Sequence, residues 1–222
     1  LASIRTGGTL LFEPGCTYRT TSLITISTDN ITLSGYGAII TSATSAQWEK
    51  FQMTSRTGVK ILGLTFNCLY STVSAQTEPT IDVISSTDIL IRNCFFNDTP
   101  MGIRCTGTAS RVNIESNWFY KNFLAIWSDD DLTNQPTYLT ITGNQIRTGL
   151  GGTGTASSGG IKVSGVGTVA STAGHVISNN TIDTAGQMGV EIQTQVNDCS
   201  ITSNVIKGVG YGISVSDANR AA

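Results

Sequence analysis

The chain has 222 residues, of which 39% are hydrophobic and 13% are charged, and its formal net charge is −2. This length can bury a substantial core, and the apolar fraction excludes a disordered protein. The small net charge excludes an electrostatic footprint for nucleic acid or an anionic membrane, and no apolar run approaches the roughly 20 residues that span a bilayer. Twenty-four glycines against four prolines favour turns over long helices. We therefore predict an all-β protein.

The first recognisable element covers residues 7–18 and reads Gly7-Gly8-Thr9-Leu10-Leu11-Phe12-Glu13-Pro14-Gly15-Cys16-Thr17-Tyr18. It resembles the entry motif "GGT, apolar, F, x-P-G-T-Y" of the pectate-lyase-like right-handed β-helix superfamily, which includes phage tailspikes and polysaccharide depolymerases. Cys16 departs from that motif because it is inserted between the glycine and the threonine. The resemblance implies a single-stranded right-handed parallel β-helix, and it leaves the activity open because such folds host many chemistries.

Seven octets of similar pattern follow the entry segment. They are Ile31–Ala38, Val59–Phe66, Ile89–Phe96, Val112–Phe119, Leu139–Ile146, His175–Ile182 and Cys199–Ile206. Their third positions are all aliphatic and recur every 23 to 36 residues, which is the period of a solenoid coil with variable loops. Mostly apolar first positions and mostly polar second positions alternate as in a half-buried strand. We predict that each octet is a strand plus a turn, with its third and eighth positions facing inward.

Asparagine recurs at the sixth position of four octets. These residues are Asn117, Asn144, Asn180 and Asn204. Side-chain amides can donate and accept at once, so amides that stack from coil to coil can form a ladder at a bend. This column predicts that consecutive coils stack in register.

A second repeated pattern, which forms a column in the predicted stack, follows the octets. It consists of three consecutive residues: a small residue, an aliphatic residue that faces the core and a residue that faces outward. Its members are Thr80-Ile81-Asp82, Gly102-Ile103-Arg104, Ala125-Ile126-Trp127, Gly160-Ile161-Lys162, Gly189-Val190-Glu191 and Gly212-Ile213-Ser214. Each coil then has at least two strands, and repeated coils of this size form a parallel β-helix. We predict one domain over residues 1–222 with about eight coils, the regular ones at 22–216. With these repeats, the resemblance covers nearly the whole chain.

The outward residues of the second column predict a charged and aromatic stripe along one face. It contains Asp82, Arg104, Trp127, Lys162 and Glu191, with Asp129 beside it. An aromatic ring can pack on a sugar face while polar groups bind hydroxyl and uronate groups. Asp82, Arg104, Trp127 and Lys162 are therefore the candidate substrate-binding residues. A plain solvated face is the alternative.

Asp129 and Glu191 are the candidate catalytic pair. They lie two coils apart in the predicted stack, which suits the roughly 6.5 to 9.5 Å between the acid and the base of an inverting glycosidase. A lyase is the chemical rival, in which Arg104 and Lys162 supply the base and the stabilising cation. The pectinase signatures and the epimerase D-P-H motif are absent from the sequence.

Other motifs favour structural roles. Asp129-Asp130-Asp131 could bind Ca²⁺ but lacks the spaced ligand order, so we predict a solvated loop and no cofactor. His175, the only histidine, occupies a core position. The stretch at 149–154 matches G-x-G-x-x-G without a following helix. The five cysteines are widely spaced without a C-x-x-C pair, which favours free buried thiols over a disulfide framework or a zinc site.

The functional hypothesis is a phage tailspike-like protein that binds and cleaves a bacterial surface polysaccharide, located in a virion tail or outside the cell. Phe95 and Trp118 share the seventh octet position, and paired exposed aromatic residues mark interfaces, so a homotrimer is expected with this contact. Neither end looks like a terminal cap, so we expect a fragment of a longer protein or ends that partner subunits seal. The alternatives are a secreted lyase or hydrolase of the pectinase type and a non-catalytic glycan-binding or structural β-helix.

Overall fold

The computed structural model describes residues 5–42, 49–68, 78–129, 133–147, 159–165, 171–172, 174–183, 188–193 and 196–216. Within these ranges the chain consists of strands, turns and bends without helices. None of the described residues therefore belongs to a helix that could cross a membrane.

Short strands follow one another along the chain. They are β1 (Thr9–Leu11), β2 (Thr17–Thr20), β3 (Ile24–Ile26), β4 (Thr32–Ser34), β5 (Ile39–Ser42), β6 (Phe51–Thr54), β7 (Lys60–Leu62), β8 (Thr65–Asn67), β9 (Pro79–Ile84), β10 (Thr87–Arg92), β11 (Phe95–Asn97), β12 (Met101–Thr106) and β13 (Ser110–Glu115). They continue with β14 (Trp118–Tyr120), β15 (Leu124–Ser128), β16 (Thr140–Thr142), β17 (Gln145–Arg147), β18 (Gly159–Val163), β19 (Ser171–Thr172), β20 (Val176–Ser178), β21 (Thr181–Asp183), β22 (Met188–Gln193), β23 (Val196–Asn197), β24 (Ser200–Thr202), β25 (Val205–Lys207) and β26 (Tyr211–Ser216).

These strands form three parallel sheets of eight strands each, with a further two-stranded sheet of β19 and β23. The first sheet has the order β1-β4-β7-β10-β13-β16-β20-β24, the second β2-β5-β8-β11-β14-β17-β21-β25, and the third β3-β6-β9-β12-β15-β18-β22-β26. Apart from β19 and β23, successive strands visit the three sheets in turn, so each coil gives one strand to each of the three large sheets. The predicted all-β parallel β-helix is confirmed.

Each coil has at least three strands, one more than the minimum that the sequence predicted. An octet covers a first-sheet strand, a bend and the beginning of a second-sheet strand, as β10 and β11 do within Ile89–Phe96. The bend falls at the fifth octet position, where Asn93, Ser116 and Asn179 adopt φ between 53° and 56° and Gly143 adopts 65°. Glycine and short polar residues tolerate this left-handed backbone best.

The asparagine column forms the predicted ladder. Asn144 Nδ2 donates to Asn180 Oδ1 at 3.0 Å, while its own Oδ1 accepts from the Asn117 backbone N–H at 2.9 Å and from Asn117 Nδ2 at 3.1 Å. Asn204 extends the chain of amides by accepting from Asn180 Nδ2. Because every amide is bonded along the axis, this buried corner fixes the register of four coils.

Apolar side chains fill the interior in stacks. The rings of Phe66, Phe96 and Phe119, all at the eighth octet position, lie nearly parallel, with centroids 5.0 and 4.7 Å apart. The third octet positions are buried from Leu33 to Ile177, and Ile201 is half-buried in β24. The inward direction predicted for these two columns is therefore confirmed.

Candidate functional site

The third sheet aligns the predicted stripe along its outer face. Backbone register pairs Asp82 with Arg104, Arg104 with Trp127, Trp127 with Lys162, and Lys162 with Glu191, on the neighbouring strands β9, β12, β15, β18 and β22. The residues that flank each member along its strand are buried in the core, so the members point outward. We call these five side chains, together with Asp129, Ser164 and Gln193, the polar wall.

A bidentate ion pair occupies one end of the polar wall. Arg104 Nε donates to Asp82 Oδ1 at 3.0 Å and Arg104 Nη2 donates to Asp82 Oδ2 at 2.7 Å. The Asp82 side chain is 1% exposed and that of Arg104 is 25% exposed. This geometry holds the guanidinium in one orientation and leaves part of it at the surface.

A closed ring of contacts occupies the middle of the polar wall. Trp127 Nε1 donates to Ser164 Oγ at 3.2 Å, Ser164 Oγ donates to Gln193 Oε1 at 3.1 Å, and Gln193 Nε2 donates to Glu191 Oε1 at 2.7 Å. Lys162 Nζ closes the ring, since it lies 4.0 Å from Glu191 Oε2 and 4.9 Å from the centroid of the Trp127 ring. Three neighbouring strands are thereby tied together through side chains.

Trp127 is half-buried rather than fully presented to solvent. Its ring packs against the outer apolar cluster of Met101, Phe123 and Leu124, and the ammonium of Lys162 lies over the ring. Cation–π contacts of this kind orient both partners. A ligand that stacks on the ring must therefore share its face with Lys162 or displace it.

The two candidate catalytic carboxylates have different surroundings. Asp129 follows β15 and is half-buried, and its backbone N–H donates to the Cys105 carbonyl at 2.8 Å. Glu191 lies two strands further on, in β22, where it is buried and held by Gln193 and Lys162. Both lie on the polar wall, and their assignment as an acid and base pair remains a prediction.

Glu49 and Glu78 are two carboxylates near the polar wall that the sequence analysis missed. Glu49 Oε1 accepts from Gln52 Nε2 at 3.2 Å, and Gln52 pairs in register with Asp82. Burial raises the pKa of Glu49, and the charges of Asp82 and Glu78 raise it further against the opposing effect of Arg104. Gln52 lies one coil before Asp82, the first outward residue that the sequence pattern identified, and Glu49 itself precedes β6 outside the repeat.

His175 and three cysteines have structural positions. His175 is buried and its Nδ1 accepts from the Leu139 backbone N–H at 3.2 Å, and burial lowers its pKa to about 4. Cys68, Cys94 and Cys105 are buried thiols, while Cys16 and Cys199 are half-buried. Burial raises the pKa of Cys94 to about 12. The expected buried thiols are thus found at three of the five positions.

Two weaker motifs lie outside the described residues, namely Asp130 and Asp131 of the acidic run and the glycine-rich stretch at 149–154. Among the residues that the structure does describe, no group of three or more His, Cys, Asp or Glu side chains could hold a metal ion.

Phe95 and Trp118 lie side by side on the outer face of the second sheet. They pair in register between β11 and β14, and their ring centroids are 5.5 Å apart with an interplanar angle of 54°. Trp118 is 51% exposed and Phe95 is partly exposed. The outward placement expected from the sequence is therefore present, on a different face from the polar wall.

Several solved structures are similar to this chain at low sequence identity. A tailspike protein variant of E. coli bacteriophage HK620 has a TM-score of 0.48 and 12% identity over 96% of this chain and 55% of its own. An alginate lyase of family PL6 in complex with a trisaccharide has a TM-score of 0.42 and 10% identity over 90% of this chain and 55% of its own. The endo-xylogalacturonan hydrolase from Aspergillus tubingensis has a TM-score of 0.40 and 12% identity over 100% of this chain and 91% of its own.

The chain spans about half the length of the tailspike and of the alginate lyase. No curated protein sequence matches it significantly. A protein family does match, over residues 22–222, which is most of the chain and includes every strand of the polar wall. The chain therefore belongs to the NosD family, whose description reads "Periplasmic copper-binding protein (NosD)".

Proposed function

We propose that this protein binds a bacterial surface polysaccharide along the polar wall. The proposal rests on the closed series of contacts among Trp127, Ser164, Gln193, Glu191 and Lys162. These contacts hold one indole and four polar groups in place on three adjacent strands. Strands in a sheet repeat about every 4.8 Å, so the wall offers evenly spaced contacts to a linear polymer. Preorganised polar and aromatic groups bind with a small ordering cost.

Replacement of Trp127 tests the binding site. We expect Trp127→Ala to weaken binding of a polysaccharide that the wild-type protein retains by about tenfold or more, as for a buried aromatic anchor. Tyr138→Ala is the control because it removes an exposed aromatic side chain that lies outside the third sheet and outside the proposed Phe95–Trp118 contact. Isothermal titration calorimetry measures the polysaccharide affinity of both variants. Equal affinity of Trp127→Ala and wild type, or equal loss in the two variants, would contradict the proposed wall.

Cleavage of the bound polymer is the finer proposal, with Asp129 and Glu191 as the acid and base of a hydrolase. It is favoured by the fixed position of Glu191, which Gln193 and Lys162 hold on the outer wall. We expect Glu191→Gln to abolish cleavage while binding and folding persist, and Glu115→Gln on the first sheet to retain activity. Retained turnover in Glu191→Gln would remove the assignment.

Product analysis separates the alternative chemistries. A hydrolase releases new reducing ends without ultraviolet absorbance, whereas a lyase, with Arg104 and Lys162 as its base and stabilising cation, releases an absorbing unsaturated sugar. A glycan-binding or structural β-helix gives neither product.

A tailspike-like homotrimer in a virion is a further proposal, with Phe95 and Trp118 at the contact. Its support is the exposed aromatic pair on the second sheet. Analytical ultracentrifugation of wild type and Trp118→Ala tests it, since a trimer that dissociates in the variant is expected. A monomeric wild type favours a secreted enzyme or binder.

The family description names a periplasmic protein, and a site of action outside the cytoplasm suits a surface polysaccharide.

Copper binding, which the family description names, does not fit the described residues. Copper prefers imidazole, thiolate and thioether ligands. Met53 and Met101 are buried in separate apolar clusters, and Met188 lies three strands away from Met101 on the third sheet. The only histidine is buried with its Nδ1 already accepting a hydrogen bond. Cys94 is buried at the bend between β10 and β11, and Cys105 is buried in β12 on a different sheet. The ranges that the structure covers hold no cluster of three His, Cys, Asp or Glu ligands. We therefore assign copper no role in the proposed function.

A further inference from the structure

The charges of the polar wall indicate which sugars it accepts. The wall contains two basic side chains, and both already face carboxylates. Asp82 takes two hydrogen bonds from Arg104, and Glu191 lies 4.0 Å from the Lys162 ammonium, which also covers the Trp127 ring. A uronate carboxylate would have to compete with these internal partners for either cation.

Negative charge is in excess around Arg104. Its guanidinium lies within electrostatic range of Asp82, Asp129 and Glu49, and Glu49 in turn lies within range of Glu78. Three carboxylates thus act on one guanidinium and Glu78 adds a fourth beside Glu49, while the Lys162–Glu191 pair adds no net charge. An anionic ligand approaching this end of the wall meets like charge at close range, which disfavours binding.

The neighbouring sequence does not compensate this excess. The segments that adjoin strands β9, β15 and β18 in the chain, residues 67–78, 130–137, 148–159 and 165–173, contain no lysine or arginine. Among the described residues nearby, Lys50 is fully buried and Arg56 bonds the carbonyls of Thr54 and Ser27 beside Asp29. Additional cations for a polyanion are therefore not supplied from these parts of the chain.

We propose that the polar wall selects polysaccharides that are neutral or carry amines, and rejects polyuronates. This inference rests on the proposed function, because it names the ligand class of the same wall. It also favours a hydrolase over a lyase, since the lyase reaction requires a uronate carboxyl next to the proton that is removed.

The test begins with a panel of bacterial capsular and O-antigen polysaccharides in neutral, amine-bearing and uronate-bearing classes. A neutral polymer that the wild-type protein retains is then oxidised at its primary alcohols, which creates uronates on the same backbone. We expect the oxidised polymer to bind about tenfold more weakly at low salt, in line with like charges at contact distance. Added salt should narrow this difference, because it screens the repulsion.

Charge variants separate repulsion from the loss of a hydroxyl contact. We expect the double variant Glu49→Gln with Glu78→Gln to strengthen binding of the oxidised polymer several-fold while leaving the neutral polymer unchanged. Glu13→Gln with Glu115→Gln is the matched control, since it removes the same charge from sites outside the third sheet and should change neither affinity.

The possible outcomes distinguish the two proposals. If the panel retains mainly uronate polymers, or the oxidised polymer binds as tightly as its parent, the selectivity inference is overturned and the binding proposal stands. If oxidation weakens binding but neither salt nor the double variant restores it, the inference is also overturned. If no polysaccharide is retained, or Trp127→Ala binds all of them as wild type does, the proposed function itself fails.

Discussion

Two arginine–aspartate pairs connect neighbouring coils with nearly the same geometry and different burial. On the third sheet, Arg104 and Asp82 form bonds of 3.0 and 2.7 Å, with side chains 25% and 1% exposed. On the first sheet, Arg111 and Asp88 form bonds of 2.7 and 2.8 Å, with side chains 58% and 47% exposed. A buried pair is costly to break because one charge is left without a partner, whereas an exposed pair is replaced by water. The same pairing thus fixes side chains of the polar wall on the third sheet, whereas on the first sheet it is an exposed surface contact.

The largest expected effect comes from breaking the buried pair. Arg104→Met leaves the Asp82 carboxylate buried without its partner, and we expect the free energy of unfolding to fall by about 3 to 5 kcal/mol. Arg111→Met is the control and should leave stability close to wild type. Urea titration at pH 7 measures both. Equal losses in the two variants would contradict the comparison.

The asparagine ladder extends the comparison to buried groups without charge. Asn144→Ala removes an amide that bonds Asn117, Asn180 and the Ile114 carbonyl. We expect a loss of about 2 to 3 kcal/mol, because several buried polar groups lose a partner. Asn113→Ala, on the outer face of the first sheet, should change the urea midpoint little. A ladder variant as stable as this control would show that the amides do not set the stability of the stack.

A smaller effect is expected from the pH dependence of His175, which is buried without a charged partner. Its pKa falls from 6.5 to about 4 in the folded chain, so the unfolded chain binds more protons between these values and stability falls as pH drops through this window. We expect a loss of about 2 kcal/mol between pH 7 and pH 5. In His175→Asn, this loss of stability between pH 7 and pH 5 should be absent. Urea titration at each pH measures the free energy of unfolding of the variant and of wild type. An unchanged pH profile in the variant would mean that other groups cause the loss.

Much of the fold could be predicted because its physical cause repeats along the sequence. Leu33 and Ile141 mark the inward columns, Asn117 and Asn144 mark a corner, and the third-sheet register from Asp82 to Glu191 follows from counting positions within each coil. The third strand of each coil was not predicted, because second-sheet strands such as β11 are three residues long and follow directly after the bend.

The site could be predicted only as a line of positions. Its contacts were not predictable, because Lys162 covers the Trp127 ring and Glu191 binds Gln193 through side-chain conformations that no periodic pattern encodes. Glu49 was missed for a related reason, since it precedes β6 and belongs to no repeat column.

The sequence by itself determined the coil period, the inward columns and the outward order of Asp82, Arg104, Trp127, Lys162 and Glu191, because backbone hydrogen bonds between parallel strands hold equivalent positions in register. Only the tertiary structure decided which of these charges are buried, which neutralise one another and which further carboxylates approach them. Those properties depend on packing at the corners and on side-chain direction. They set the electrostatic character of the wall, and with it the ligands that we expect it to accept.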